Sequence, residues 1–391
     1  MFMSWGISST FGVFFKPLVT EFDWTRAVTS GAFSISMIIF GILGIIMGGL
    51  TDRFGPRLVL SVCGLLLGLG HLLMSQVSIV WQLYLFYGVI IGIGMSGAWV
   101  PLVSTTARWF TRRRSVMTGL VVAGMGIGRL FTPPWAQQLI STYGWPTAYT
   151  ILGSIVLVGI VFVAQFLRRD PAQKDQLPYG HNESQECALM SENNSISLKE
   201  ALHTKQFWLF SGIEFCSGFF IFTITLHIAP HVTEFGFSAA TAANILAAIG
   251  GINVLGNIVF GSIGDRIGNQ WTLSISFTLI SASLFWLVPS TELWKFWVFA
   301  IIFGFADGGL ATIPSPLVAE LFGLKWHGLI YGVAGLGFTL GASVGPFQAG
   351  YIFDITNSYQ LAFLVTAGVG ILGIILTILL GPVGERTKRL V

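Results

Sequence analysis

Apolar runs separated by short polar breaks fill almost the entire chain, near 1–22, 26–50, 58–78, 80–107, 115–138, 146–168, 206–234, 239–263, 271–289, 294–322, 329–353 and 357–382. A helix needs about 20 residues to cross roughly 30 Å of hydrocarbon. The pattern therefore predicts an all-α membrane protein with twelve transmembrane helices. The first run is short, because Lys16 interrupts it early. The single long polar stretch, 170–205, is rich in Asn, Ser, Glu and Gln and divides six runs from six. The expected organisation is a six-helix bundle over 1–169, a cytoplasmic linker over 170–205 and a second six-helix bundle over 206–391. Ser197 and Glu200 have capping-box spacing ahead of a short surface helix at the end of that linker.

A charged turn recurs in the two halves. Gly48-Gly-Leu-Thr-Asp-Arg-Phe-Gly-Pro-Arg57 lies between the second and third runs, and Gly261-Ser-Ile-Gly-Asp-Arg-Ile-Gly268 between the eighth and ninth. Ala123-Gly-Met-Gly126 in the fifth run pairs in the same way with Ala334-Gly-Leu-Gly337 in the eleventh. Repeats in register predict two pseudo-symmetric bundles from one duplicated unit, with a site between them near mid-membrane. The turn Gly-x-x-x-Asp-Arg-x-Gly resembles the signature loop of the major facilitator superfamily. That resemblance implies alternating access by two rocking six-helix halves, with the first, fourth, seventh and tenth helices lining a central cavity. Gly12-Val-Phe-Phe-Lys-Pro-Leu18, Glu21-Phe-Asp-Trp-Thr-Arg26, Ala107-Arg-Trp-Phe110 with Arg112 to Arg114, and His227-x-x-Pro230 further resemble the monocarboxylate-transporter-like group. This implies proton-coupled symport of lactate- or pyruvate-like anions. The chain departs from the group in the eighth helix: Asn257 stands where an Arg for the carboxylate is common, and Asn253 where mammalian members carry an Asp.

Composition narrows the class. Hydrophobic residues are 53% of the chain and charged ones 9%, far below the roughly one quarter of a soluble domain. The 48 Gly fit a bundle whose helices approach closely. A net charge of +3 is too small to suggest nucleic acid, and no cofactor is implied. Cys63, Cys187 and Cys216 lie far apart and match no metal spacing. No cleavable leader precedes the first run. The cations are distributed one-sidedly: Arg53, Arg57, Arg108, Arg112 to Arg114, Arg168, Arg169 and Arg266 share one side, while only Arg26 and Lys295 fall on the other. The positive-inside rule then puts both termini in the cytoplasm of a plasma (inner) membrane protein. On that orientation the acceptor patterns at Asn182 and Asn193 are accidental.

Charged groups inside a span cost at least roughly 2.5–3.5 kcal/mol at the bilayer centre, so each needs a partner, water or a job. Arg129 in the fifth run and Asp307 in the tenth both fall near the midplane. A guanidinium stays charged and fits a carboxylate bidentately, so Arg129 points to a small organic anion, with a purely structural ion pair to Asp307 as the alternative. Asp307, in Gly304-Phe-Ala-Asp-Gly-Gly309, is a candidate coupling-proton site: desolvation favours its neutral form and Arg129 its charged form. His227 could bind substrate or accept the entering proton, or be held at a helix break made by Pro230. His227 and His231, four residues apart, could also hold a metal, but no further ligand is placed to complete a site. Asn253 and Asn257 share a helix face and could bind a polar ligand or bridge helices. Glu214 is a second protonatable candidate, whereas His71 and Lys16 lie near enough to span ends to snorkel. Pro133 and Pro134 predict a kink after Arg129. Asp52, Arg53, Arg57, Asp265 and Arg266 read as gating residues that pair at a helix end in one state only. The protein is expected to supply Arg129 for the charge absent at Asn257, with Asp307 in reach. No nucleophile with its base or metal set suggests an enzyme, and no continuous polar face suggests a channel; efflux of amphipathic drugs is the rival within transport.

Overall fold

The fold is a helical bundle in a computed structural model that describes residues 1–109, 114–168, 196–323 and 326–380. The side chains of Asp52, Val100, Val103, Ser104, Ala107, Arg108, Asp265 and residues 114–119 lie outside the described residues, as do most of the linker and the acceptor patterns at Asn182 and Asn193.

Twelve spans follow one another. The first is Phe2–Ser9 with Phe11–Phe22, the second Arg26–Phe54, the third Pro56–Met74 and the fourth Val80–Leu83 through Ser96 with Val100–Trp109. The fifth is Arg114–Tyr143 and the sixth Trp145–Ala164. A short helix, Leu198–Leu202, precedes the seventh span, Lys205–Glu234; the eighth is Ala239–Ile267 and the ninth Asn269–Leu287. The tenth is Leu293–Thr312 with Pro314–Phe322, the eleventh His327–Ala334 with Leu336–Thr356, and the twelfth Gln360–Leu380. Among the described residues nine of these spans are long and apolar enough to cross a bilayer. The remaining three, the first, fourth and fifth, differ from these in regularity or composition. The first breaks at Thr10, where the Ser9 and Thr10 hydroxyls donate back to the carbonyls of Gly6 and Ile7 at 2.6 and 2.7 Å and compete with the helix ladder. The fourth widens into a π-helical stretch over Tyr84–Ile91 and stops at Ser96. The fifth carries Arg129, Gln137 and Gln138 among its glycines.

Several sequence expectations change in detail. The fifth span runs unbroken through Pro133 and Pro134, and the seventh through Pro230, so neither proline ends its helix. Neighbouring helices bury those segments and hold them helical. His71 does not snorkel: it is 1% exposed, with Nδ1 2.8 Å from the Leu67 carbonyl, packed between the third and sixth spans. The capping box at Ser197 and Glu200 is present, and hydrogen bonding from the Ser197 backbone N–H, then from its side chain, holds the Glu200 carboxyl below the usual range.

The repeated charged turns share one backbone geometry. Gly55 closes the first copy at φ 82° and Gly268 the second at φ 90°, a region in which a Cβ is strained. Beyond the turns, the surface is apolar where lipid would lie, for example Val158, Phe162, Phe166 and Ile258, each exposed by 63–70%.

Between the halves, the second span meets the eleventh and the fifth meets the eighth, with the first against the seventh. Ser34 donates to the Ser343 carbonyl at 2.5 Å, and Gly126 and Gly250 let the fifth and eighth backbones touch. Hydrogen bonds that join the halves among the described residues run from the face bearing Arg26 to the level of Arg129. Towards the opposite face, bearing Arg53, Gly44 and Gly49 of the second span and Gly328 and Gly332 of the eleventh have no atom within 4 Å of a Cβ position. The bundle is closed at the Arg26 face.

Inside the second half, Gly218 and Gly341 bring the seventh and eleventh spans into backbone contact, leaving no room for a methyl group. Gly341→Ala is expected to destabilise the protein by about 1–3 kcal/mol, the usual result of overpacking, and Gly332→Ala to be neutral. Thermal unfolding of the detergent-purified variants measures both.

Candidate functional site

The site is assembled by three helices from both halves. Arg129 projects from the fifth span, Asn253 and Asn257 from the eighth and Asp307 from the tenth. Arg129 Nη1 lies 3.5 Å from Asp307 Oδ2, and Asn253 donates to that same oxygen at 2.9 Å. Asn257 donates to Asn253 Oδ1 at 3.2 Å, and Thr312 donates to Asn257 Oδ1 at 3.1 Å. A single polar chain thus runs from Arg129 to the end of the first tenth-span helix.

Glycine makes this closeness possible. Gly250 lies against the Arg129 backbone, while Gly256 and Gly308 let the eighth and tenth spans touch on either side of the asparagines. With larger residues the eighth span could not sit between Arg129 and Asp307.

The electrostatics are unequal. Arg129 is 9% and Asp307 3% exposed, so a lone charge on either would be costly, and each moderates the other. Asp307 Oδ2 has two partners. A guanidinium has five N–H donors, yet Arg129 uses one among the described residues. The arrangement can neutralise a second carboxylate without dismantling the bundle.

Other candidates sit elsewhere. His227 is fully buried beside the Arg26 face: Nε2 lies 2.8 Å from the Pro346 carbonyl and 3.3 Å from Ser30 Oγ, and Nδ1 lies 3.0 Å from the Tyr359 hydroxyl. No hydrogen bond among the described residues joins it to Arg129 or Asp307. His231 has no partner for Nε2 among the described residues and is boxed edge-on by Phe235, Phe296, Tyr359 and Phe363. Glu214, 5% exposed, has one oxygen without a hydrogen-bond partner; on its helix it lies between Ser211, which bonds the Ala334 carbonyl, and Gly218. Among the described residues no three His, Cys, Asp or Glu are grouped to hold a metal. Of the signature-loop residues, Arg53 is exposed and stacks over Phe54, Arg266 is exposed, and Arg57 donates twice to the Gln165 carbonyl within its own half. The Asp52 and Asp265 side chains lie outside the described residues. A cleft of about 300 Å³ beside Lys16 and Gln137 does not include Arg129 or Asp307 in its lining.

Two features escape sequence inspection. Thr312 carries no charge to draw notice. The cluster at Arg26, where Asp354, Tyr359 and Glu234 meet it from more than 200 residues away, had a single clue, the scarcity of cations on that side.

A twelve-span bundle of two halves with a polar site between them is the form of a secondary transporter. The sequence profile described as Major Facilitator Superfamily matches residues 1–256 and 213–390, and the chain belongs to that superfamily. It is a membrane transporter and not an enzyme. Monocarboxylate transporter 13 of Rattus norvegicus is 27% identical over 384 residues, covering 94% of this chain and 84% of that protein. Monocarboxylate transporter 12 of Rattus norvegicus is 25% identical over 408 residues, covering 98% and 83%. Both relatives carry the name monocarboxylate transporter. The solved structure of a bacterial homologue of the human lysosomal transporter Spinster superposes with a TM-score of 0.77 at 14% identity, covering 97% of this chain and 94% of that one, a likeness of fold.

Because Arg129 and Asp307 share a dry site, removing one strands the other. Asp307→Asn and Arg129→Gln are each expected to lower stability by about 3 kcal/mol or more, and the double variant by clearly less than their sum. A double-mutant cycle from unfolding midpoints measures the coupling.

Proposed function

We propose that the protein is a proton-coupled symporter of small monocarboxylates of the lactate and pyruvate kind, working by alternating access. The observation that carries this reading is the Arg129 fork: one of its five donors is engaged among the described residues, in a site where the asparagines at 253 and 257 bring no charge of their own. The relatives' names, monocarboxylate transporters, support the same class of cargo.

In the proposed cycle Asp307 is the proton carrier. With the site empty, Asp307 and Arg129 neutralise each other. A proton on Asp307 releases the guanidinium, and the anion takes the carboxylate's place, so the site is neutral both when empty and when proton and anion are bound together. Asn253 and Asn257 hold the substrate's remaining polar group, with His227 assigned to the route by which proton and substrate reach them from the Arg26 side. Glu214 is a second protonatable group towards the Arg53 side. The bundles 1–169 and 206–391 are the moving units, with 170–205 as their cytoplasmic linker. Asp52, Arg53, Arg57, Asp265 and Arg266 gate the Arg53 face. That face is assigned to the cytoplasm of a plasma membrane protein, with both termini inside, because the cations concentrate there.

Uptake of a labelled carboxylate panel into proteoliposomes, with and without an inward proton gradient, tests the reading. Accumulation is expected to rise as external pH falls. Arg129→Gln is expected to lower uptake by roughly a hundredfold, the loss of a charge-assisted bidentate contact. Intact uptake in that variant ends the proposal. Asp307→Asn, a mimic of the protonated group, is expected to keep substrate exchange and to lose proton-driven accumulation.

A further inference from the structure

Side chains from four spans converge at the Arg26 face, apart from the site above. Asp354 of the eleventh span accepts from the backbone N–H of Arg26 through one oxygen and from that of Ala27 through the other, both at 2.8 Å. Those two N–H groups open the second span and have no partner inside it, so the carboxylate satisfies them and meets the positive end of the helix. The Arg26 guanidinium donates to the Tyr359 hydroxyl and to Glu234, each at 2.5 Å, and lies 3.5 Å over the Phe353 ring. Lys16 adds a hydrogen bond to Thr233 at 3.2 Å. Arg26, Ala27 and Lys16 belong to the first half and every partner to the second. The cluster exists only while the halves are together at this face.

His227 completes it from the inside, and chemistry sets the direction of each hydrogen. The Pro346 carbonyl can only accept, so Nε2 of His227, 2.8 Å away, carries the hydrogen. Nδ1 is then the bare nitrogen and accepts from the Tyr359 hydroxyl at 3.0 Å, while the Tyr359 oxygen accepts from Arg26. The neutral imidazole fits and the charged one does not. A solvent proton added at Nδ1 sets one donor against another, forces the hydroxyl hydrogen away, and leaves two cations facing across one oxygen in a buried site.

We propose that this cluster is a proton-operated latch on the mouth at the Arg26 face: neutral His227 keeps it shut, and a proton taken up at His227 Nδ1 releases it. The groups that meet His227 are Phe15 of the first span edge-on, Ser30 and Arg26 of the second, Pro346 of the eleventh and Tyr359 before the twelfth, with His231 one turn further along its own helix. The charges nearby are Arg26, Lys16, Glu234 and Asp354, and both carboxylates are already engaged by Arg26, Lys16 or the start of the second span. Among the described residues no free carboxylate offsets an imidazolium here. The closed mouth is therefore favoured at high pH and lost as pH falls through the titration of His227. The inference goes beyond the anion reading and does not depend on it, since the latch involves neither Arg129 nor Asp307.

Nitroxide labels at Ser78→Cys and Thr291→Cys, on exposed loops of opposite halves at this face, test it by pulsed electron-spin distance measurement on the full chain in detergent, with Cys63, Cys187 and Cys216 replaced. No substrate is added. Between about pH 8 and about pH 5.5 the ratio of long to short distances is expected to rise about tenfold. His227→Gln is expected to abolish that response. Tyr359→Phe, which removes one hydroxyl and keeps the ring, is expected to raise the long-distance population at both pH values and to flatten its pH dependence. Asp307→Asn, which loses a bond between the halves, is expected to shift the ratio at both pH values and to keep its pH dependence. A parent protein whose distances ignore pH overturns the latch. So does an undiminished response in Tyr359→Phe or His227→Gln, or a response lost in Asp307→Asn, which would put the sensor at the midplane site.

Discussion

A guanidinium cannot shed its charge, and in the middle of a lipid-embedded bundle that charge has to be met by something. In this protein the demand falls on three helices at once. Arg129 needs Asp307, Asp307 needs Asn253 as a second donor, and Asn253 sits on the helix that separates the other two. Only a backbone stripped of side chains at Gly250, Gly256 and Gly308 lets the fifth, eighth and tenth spans come so close. The polar site and the glycine-lined contacts are therefore one feature, because the first cannot be neutral without the second.

The same demand explains which helices are irregular. Spans facing lipid are regular because nothing in hydrocarbon can replace a lost backbone hydrogen bond. Irregular backbone is tolerated where other protein groups take over, and the first, fourth, tenth and eleventh spans all break. At Thr10 the chain's own hydroxyls compete for the carbonyls. At Thr312 the hydroxyl ties the break in the tenth span to Asn257, so a change at the asparagines is felt at a joint in the helix. The prolines at 133, 134 and 230 leave their helices continuous, because surrounding spans over-determine the backbone there.

Charge is handled differently at the two ends of the bundle. At the Arg26 face, cation, carboxylates, hydroxyl and imidazole cross between halves and saturate one another. At the Arg53 face, Arg53 and Arg266 are exposed and Arg57 is satisfied within its own half. Among the described residues such contacts pin the two halves at the Arg26 end alone, as in one of the states that an alternating-access cycle requires. The polar contacts described at this face are identifiable side chains, the kind of interface that a bistable machine can break and remake.

Much of the architecture was legible in the chain itself. Apolar run length fixes the number of spans because hydrocarbon thickness is fixed, and Gly55 and Gly268 announce a duplicated unit because their backbone geometry excludes other residues. Arg129 and Asp307 stand out in sequence because a charge inside a span is expensive wherever it points. What tertiary structure alone decided is which expensive groups meet. His227 carries chemistry that suits a substrate site, yet packing directs it to the Arg26 cluster. Asp354 reads as an ordinary acidic residue near a span end, and its role at the start of the second span arises from the fold. Periodicity and composition are local quantities, whereas a contact across more than 300 residues depends on how the two halves lean together.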